Sequence, residues 1–165
     1  MLKPARDVLA TYDLVASGWD RHRDLSLFEK PYLDRLLSLA PGLRVLDLGC
    51  GSGRPMATYL HQQGAAVTGV DGAPAMTAIF HENLPDCEIV TADMRGLDLG
   101  RVFDAVLVWD SFFHLPATAQ EDMFEVFARH LASDGVLMFT SGPQAGEAWG
   151  TVEAVSYTHL TLPTN

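Results

Sequence analysis

Apolar residues recur with helical spacing along the first forty positions of the chain. In residues 8–19 they stand at Val8, Leu9, Tyr12, Val15, Ala16 and Trp19. This spacing predicts an amphipathic helix. Leucines at positions 33, 36, 37 and 39 predict a second helix over residues 27–39, and Pro41-Gly42 ends it.

From residue 44 onward, short apolar runs alternate with helical segments. The pattern predicts strands at residues 44–48, 66–70, 87–92, 103–109 and 136–140, with helices after Pro55, at 74–84 and at 118–131, and a turn at Asp134-Gly135. This alternation predicts parallel strands joined by helical crossovers in one open α/β sheet. Ligands of such sheets bind beyond the carboxyl ends of the strands. Asp71, Asp93 and Asp110 each follow a predicted strand and indicate a polar site there.

A glycine-rich turn lies between the first predicted strand and the next helix. Gly49, Gly51 and Gly53 allow the backbone to turn sharply and to approach a ligand closely. A phosphate loop would need a lysine that is absent. A dinucleotide fingerprint would need a third glycine where Arg54 stands. About 20 residues further on, Asp71 can accept hydrogen bonds from both ribose hydroxyls; the alternative is that it caps the next helix.

Five motifs occur in a characteristic order. They are Val45-Leu46-Asp47-Leu48-Gly49-Cys50-Gly51-Ser52-Gly53, Gly69-Val70-Asp71, Ala92-Asp93-Met94, Phe103-Asp104-Ala105-Val106 and Gly135-Val136-Leu137-Met138. Over roughly residues 40–141 the chain resembles the class I S-adenosylmethionine-dependent methyltransferases. The resemblance implies a Rossmann-like core, which is an open, doubly wound and mainly parallel sheet. It also implies S-adenosylmethionine as the cofactor.

The resemblance assigns expected roles to individual residues. Gly49 and Gly51 would meet the methionine part of the cofactor, Asp47 its ammonium and Asp71 its ribose. Asp93 and Met94 would meet the adenine. Tyr12 resembles the aromatic residue that closes over the methionine end, although a core position is the alternative. The expected cofactor contacts are Tyr12, Asp47, Gly49, Cys50, Gly51, Gly53, Asp71, Gly72, Met76, Asp93, Met94 and Trp109.

The acceptor side is expected after the fourth strand, at Trp109-Asp110-Ser111-Phe112-Phe113-His114. Amino-methylating nucleic-acid enzymes carry two prolines there, and this chain carries none. With 11 basic against 21 acidic residues the net charge is −10, which disfavours nucleic acid. We therefore expect a small-molecule acceptor with an N, O or C nucleophile. His114 is the candidate general base, or it caps or packs near the next helix. Phe112 and Phe113 line an apolar pocket or belong to the core.

Composition disfavours zinc-binding and membrane-spanning classes of protein. Cys50 and Cys87 are the two cysteines, which form no zinc motif and suit a reducing, cytoplasmic location. The sequence has no metal-ligand spacing among its histidines, and surface positions are expected for His22, His61, His81 and His130. It has no apolar run of about 18 residues, so we expect no membrane partner. Two alternatives stay open: a dinucleotide-binding oxidoreductase, and a module that binds S-adenosylmethionine without turnover.

The segment after Gly150 departs from the family pattern. The resemblance leads us to expect a helix and a final antiparallel strand pair, and the residues after the fifth strand are too few for them. One reverse translation of residues 155–165 resembles a transposon-based sequencing adaptor. We therefore expect residues 1–154 to form the methyltransferase core with an N-terminal helical segment, residues 155–165 to be a non-native tail, and the final strand pair to be missing.

Overall fold

The predicted alternation of helices and strands recurs in a computed structural model, which describes residues 8–141, 146–152 and 155–161, with side chains for 8–141. The elements are α1 (Val8–His22), α2 (Lys30–Leu39), β1 (Arg44–Leu48), α3 (Met56–Gln62), β2 (Ala66–Asp71), α4 (Pro74–Asn83), β3 (Glu88–Thr91), β4 (Phe103–Val108), a short 3-10 helix (Phe112–His114), α5 (Ala117–His130), β5 (Leu131–Phe139), β6 (Gly146–Val152) and β7 (Val155–Thr161). None of the helices in the described part of the chain combines the length and apolar character that a membrane crossing requires.

Five parallel strands form the main sheet, in the order β3-β2-β1-β4-β5. The central strand β1 pairs on both sides, so that Leu46 lies between Thr68 of β2 and Val106 of β4. The chain moves outward in one direction through β2 and β3, and in the other through β4 and β5. The carboxyl ends of β1 and β4 therefore flank the point where the strand order reverses, which is the usual ligand site of an open α/β sheet.

Apolar side chains cover both faces of this sheet. Val45 of β1 packs with Leu36 of α2 and Leu60 of α3 on one face. Leu46, its neighbour, packs with Phe127 of α5 on the other. Successive side chains of a strand point to opposite faces, so an unbroken apolar run is what a sheet covered on both sides requires. The doubly wound architecture is confirmed.

Helix α1 lies against α4 and reaches the carboxyl edge of the sheet. Ala16 packs with Met76 of α4. Asp13 accepts a hydrogen bond from the backbone nitrogen of Ala75 at 2.7 Å, close to the start of α4. The fixed position of α1 therefore depends on both apolar packing and side-chain hydrogen bonds.

Several element boundaries differ from the prediction, and two of the differences have a clear physical reason. Helix α2 begins at Lys30 rather than at residue 27, because Leu27 has a φ of 53° and cannot belong to a right-handed helix. Strand β5 begins at Leu131 and contains the predicted Asp134-Gly135 turn. Leu131 pairs with Phe103, and the next paired residues are Val136 and Ala105, so the extra residues form an irregularity within the strand.

The last two strands form a separate antiparallel sheet. Gly146 pairs with Thr161 and Val152 with Val155. A strand at residues 146–152 was not predicted. In the described ranges the main sheet ends at β5, and neither β6 nor β7 is hydrogen-bonded to it. The non-native origin of residues 155–165 stays a prediction, since backbone pairing does not test it.

The surface position expected for His130 is wrong, because its side chain is fully buried. Nε2 lies 3.0 Å from the backbone nitrogen of Leu99, which can only donate. Nδ1 therefore carries the proton and donates to the carbonyl oxygen of Val126 at 2.7 Å. The imidazole joins α5 to the loop before β4.

His130→Phe is expected to lower the free energy of unfolding by about 1–3 kcal/mol, because the buried N–H of Leu99 loses its acceptor. Urea denaturation followed by circular dichroism measures the change. His81→Phe at an exposed position of α4 is the control and should stay within about 0.5 kcal/mol of the parent. Equal effects of the two substitutions would contradict the structural role of His130.

Candidate functional site

A cleft of about 800 Å³ opens at the carboxyl edge of the sheet, beneath α1. Its walls come from the loops after β1, β2, β3 and β4 and from α1 itself. All thirteen residues predicted from the sequence line it: Tyr12, Asp47, Gly49, Cys50, Gly51, Gly53, Asp71, Gly72, Met76, Asp93, Met94, Trp109 and His114. Residues far apart in the sequence thus surround one cavity large enough for a nucleoside-sized ligand.

The loop after β1 needs its three glycines for different reasons. All three have positive φ values, 73° at Gly49, 54° at Gly51 and 79° at Gly53. A Cβ atom on Gly49 would lie 2.3 Å from Cβ of Ser111, and one on Gly53 would lie 2.7 Å from the Phe80 ring. A Cβ on Gly51 would meet no protein atom within 4 Å. Gly51 therefore leaves open space above the backbone at the cleft.

The Asp71 carboxylate fixes this loop from the neighbouring strand. Oδ2 accepts the backbone N–H of Gly51 and Oδ1 accepts that of Ala73, both at 2.9 Å. Burial raises the pKa of Asp71, and the backbone donors act against that rise. Each oxygen keeps a further lone pair for a ligand hydroxyl. Asp71 does more than cap the following helix, since one of these two hydrogen bonds holds the glycine loop.

Asp47 is a buried carboxyl group near the end of β1. Its side chain is 2% exposed, and it accepts no hydrogen bond from the described residues. Burial raises its pKa to about 7; the positive charge of Arg23 opposes this rise and the negative charge of Asp71 adds to it. A buried carboxylate without a donor is unfavourable by itself, and a nearby positive charge offsets part of that cost.

Two more aspartates stand at the outer part of the cleft. Arg95 donates to both carboxylate oxygens of Asp93 and lowers the pKa of Asp93. Asp110 has a φ of 47°, a left-handed conformation that is uncommon for a residue with a side chain. Its backbone N–H donates to Oγ1 of Thr140 at 2.7 Å, which holds that conformation. The structure confirms that the strand-end aspartates converge at one edge.

Aromatic rings form another part of the cleft wall. The hydroxyl of Tyr12 lies 3.2 Å from Nε2 of His114. Trp19 packs edge-on against Tyr12 with ring centres 5.4 Å apart, and Phe113 lies 4.8 Å from the His114 ring. Phe112, in contrast, is 1% exposed and belongs to the core beneath α5. The two adjacent phenylalanines thus divide between the core and the cleft.

His114 does not cap the following helix. Helix α5 has Pro116 at its N-cap and no side-chain capping bond. The backbone N–H of His114 donates to Ser111, and its imidazole contacts the cleft residue Tyr12. The capping half of the alternative is therefore wrong, and the half-buried imidazole lines the cleft.

Several remaining contacts explain how the walls fit together. A Cβ on Gly72 would lie 2.5 Å from Leu9, so this glycine lets α1 approach the loop after β2. Met76 is buried beneath α1, and Trp109 contacts the Tyr32 ring at 5.5 Å. Burial raises the pKa of the Cys50 thiol. Cys50 therefore stays a neutral group in the cleft wall.

Sequence reasoning missed some cleft residues, of which Arg23 and Ser111 are the most informative. The hydroxyl of Ser111 is buried and donates to the carbonyl oxygen of Leu48 at 2.9 Å, which joins the ends of β1 and β4. Arg23 follows α1 directly, and its Nε is buried without a partner in the described part of the chain. Ser111 lay within the run examined for acceptor residues, whereas no spacing signal identified Arg23. Residues 8–141 contain no cluster of His, Cys, Asp or Glu that could hold a metal ion.

The raised pKa of Asp47 gives a testable dependence of stability on pH. Between the unfolded value of 3.8 and about 7, the folded protein holds a proton that the unfolded chain releases. Wild-type stability should therefore fall, relative to Asp47→Asn, as the pH rises from 4 to 7, by on the order of 3 kcal/mol. Denaturant titrations of both proteins at several pH values measure the difference. A difference that stays constant with pH would contradict the protonated state of Asp47.

Comparison with known proteins places the chain in a family. The model of a family described as "Methyltransferase domain" matches residues 45–135, which is more than half of the chain. A dTDP-3-amino-3,6-dideoxy-alpha-D-glucopyranose N,N-dimethyltransferase from Streptomyces fradiae is 34% identical over 90% of this chain. A trans-aconitate 2-methyltransferase from Escherichia fergusonii is 40% identical over 54% of it. The chain spans 60% of the first relative and 33% of the second.

Solved structures agree with this grouping. A sugar N-methyltransferase from Streptoalloteichus has a TM-score of 0.64 and 28% identity, with 93% of this chain and 63% of that chain covered. An amino pentose methyltransferase from Micromonospora echinaspora, solved with S-adenosylmethionine bound, has a TM-score of 0.64 and 27% identity, with 83% and 61% covered. The parallel sheet, the glycine loop and the family match together show that this chain belongs to the class I S-adenosylmethionine-dependent methyltransferases.

Proposed function

We propose that this chain binds S-adenosylmethionine in the cleft and transfers its methyl group to a small molecule. The observation that carries the proposal is the pairing of open space above Gly51 with the unpartnered buried carboxyl of Asp47. The first leaves room for a ligand against the backbone, and the second favours a cationic group within reach of the same loop. The residues of the cleft therefore fit this cofactor.

Each part of the cofactor has residues of matching chemistry. The loop at Gly49 and Gly51 would hold the methionine part, with Asp47 beside its ammonium. Asp71 keeps lone pairs for the two ribose hydroxyls while it anchors the loop. Asp93 and Met94 would meet the adenine. Cys50, Gly53, Gly72, Met76 and Trp109 would complete the walls.

Methyl transfer places one main demand on the protein, which is alignment. When bound, the cofactor supplies an electrophilic methyl group on a sulfonium. Four aspartates line the cleft, Asp47, Asp71, Asp93 and Asp110. Arg95 already pairs with Asp93, and the other carboxyl groups would favour that positive charge over a neutral ligand. Positioning of a nucleophile in line with the methyl group can supply much of the rate.

The acceptor would lie against Tyr12, His114 and Phe113. Relatives that cover most of the chain are named as methyltransferases of amino groups on sugars, and we propose a nitrogen nucleophile for this chain too. The imidazole of His114, oriented by the Tyr12 hydroxyl, would accept the proton that an amine or hydroxyl releases. The net charge of −10 supports a small molecule rather than nucleic acid, and the free thiols of Cys50 and Cys87 support a cytoplasmic location.

Gly51→Val is expected to abolish detectable binding of S-adenosylhomocysteine in isothermal titration calorimetry, because the branched side chain fills the open space above the loop. Gly100→Val is a matched control. Gly100 has a similar φ of 66° and open surroundings, but it lies outside the cleft lining. The control carries the same kind of backbone strain and should bind normally. Normal binding by Gly51→Val would refute the role of the loop.

His114→Ala is expected to lower kcat by about 10²–10⁴-fold, with the affinity for S-adenosylhomocysteine unchanged. The assay measures methyl transfer over a panel of amino-sugar nucleotides. Tyr12→Phe should lower kcat less, since the imidazole remains. His81→Ala at an exposed site is the control. A change of only a few-fold in His114→Ala would show that positioning alone supplies the rate.

Cofactor binding by the wild-type protein with no turnover on any acceptor would favour the alternative of a binding module without catalytic activity.

A further inference from the structure

We infer that Arg54 and Asp20 are positioning residues, which hold helix α1 against the glycine loop so that both sides of the cleft are in place for one ligand. This inference rests on the proposed binding of S-adenosylmethionine. Arg54 stands where a dinucleotide fingerprint has its third glycine, and Asp20 lies outside the matched range of 45–135. Neither residue is among the contacts that the family resemblance implies.

The side chain of Arg54 extends from the glycine loop to the last turn of α1. It donates through Nε and Nη2 to the two carboxylate oxygens of Asp20, at 3.3 and 2.6 Å. The Asp20 side chain is 12% exposed and that of Arg54 is 35% exposed. A partly buried pair with two parallel hydrogen bonds is stronger than an exposed contact and fixes orientation as well as distance. The residue that replaces the third glycine therefore attaches the loop to α1.

Asp20 takes part in this attachment as a charged group. Burial alone would raise the pKa of the Asp20 carboxyl, but hydrogen bonds, chiefly that from Arg54, and the positive charge of Arg54 hold this pKa below its usual value of 3.8. Asp20 does not line the cleft, whereas Arg54 does. An effect of Asp20 on a ligand would therefore pass through Arg54 and through the helix that carries Asp20.

The other contacts of α1 lead to different loops. Leu9 and Asp13 contact the segment between β2 and α4, and Tyr12 contacts His114 after β4. Asp20 adds the loop after β1, so that α1 is joined to the ends of three strands. The ion pair thereby connects the helix that carries Tyr12 with the loop that carries Gly51.

A ligand that fills the cleft would meet both sides of this attachment, because Gly51 of the loop and Tyr12 and Trp19 of α1 line the same cavity. With α1 attached, the two sides are in place before the ligand arrives. With α1 released, the protein is competent to bind for only part of the time, and the apparent affinity falls by that fraction. Breaking the pair should therefore weaken binding although Asp20 does not touch the ligand.

Calorimetry of the full chain with S-adenosylhomocysteine tests this role. Asp20→Asn keeps the size of the side chain but removes its charge, and it should weaken binding by at least about 5-fold. Arg54→Met should weaken binding to a similar extent. The double variant should bind no more weakly than the weaker single variant, because both substitutions break the same attachment.

Arg44 and Asp104 form a matched control pair. Arg44 donates through Nε and Nη2 to both carboxylate oxygens of Asp104, at 3.0 and 2.8 Å, at the start of β1. Neither residue lines the cleft. Arg44→Met should lower the free energy of unfolding but keep the affinity for S-adenosylhomocysteine within about 2-fold of the wild type. The control separates a general loss of stability from the loss of this attachment.

Amide hydrogen exchange without ligand gives a second readout. In Asp20→Asn the amides of α1 should exchange at least about 5-fold faster relative to those of β1 than in the wild type, because α1 opens more often. In Arg44→Met this ratio should stay at the wild-type value. An unchanged ratio in Asp20→Asn would contradict the attachment, whether or not a ligand binds.

The affinities also have outcomes that would overturn the inference. They are wild-type binding by both Asp20→Asn and Arg54→Met, or tighter binding by Asp20→Asn, which would mean that the released Arg54 acts on the ligand directly. If Arg54→Met does not fold, Arg54→Lys takes its place and should still weaken binding, because an ammonium lacks the planar fork of the guanidinium. A wild-type protein that does not bind S-adenosylhomocysteine would instead overturn the proposed function, while hydrogen exchange would still report on the attachment.

Discussion

The pair of hydrogen bonds accepted by Asp71 holds the cleft together. Its carboxylate stands at the end of β2 and reaches both Gly51, in the loop after β1, and Ala73, just before α4. Loops after two neighbouring strands are thereby fixed to each other by one side chain. The hydrogen bond to Asp71 satisfies the N–H of Gly51 and so stabilises the left-handed backbone at the open side of the loop. The end of β4 is joined to β1 in a similar way, because the Ser111 hydroxyl donates to the carbonyl oxygen of Leu48.

The cleft contains buried polar groups that the described part of the protein does not satisfy with hydrogen bonds. Asp47 and Arg23 are near each other and are not hydrogen-bonded, and buried polar groups in that state cost free energy. Sites of this kind are common where a protein must bind a charged ligand, because the stability lost in the empty state is regained on binding. Burial raises the pKa of Asp47 to about 7, and the positive charge of Arg23 opposes that rise.

Much of this site could be predicted from the sequence, because strand ends and glycine turns leave local signals. The glycine spacing and the aspartates after three strands identified residues that do line one cavity. Arg23 left no such signal, since its place in the cleft depends on how α1 lies over the sheet. His130 was misplaced for a similar reason, because the acceptor needed by the Leu99 N–H is visible only in the folded loop. The start of β5 was missed because Asp134-Gly135 reads as a turn in the sequence, whereas in the structure these residues lie in an irregular part of the strand.

The match to the family model begins at residue 45, so helix α1 lies outside the matched range. Tyr12 and Trp19 of α1, and Arg23 directly after it, nevertheless line the cleft. One side of the cleft is therefore formed by a helix that the family model does not include. Gly72, in the loop after β2, lies at the contact between the two parts, because a Cβ atom there would lie 2.5 Å from the Leu9 side chain of α1. Asp13 adds a hydrogen bond to the backbone of Ala75, and Tyr12 contacts His114 across the same boundary. A substitution that shifts α1 would therefore change the shape of the cleft without altering any residue of the matched range.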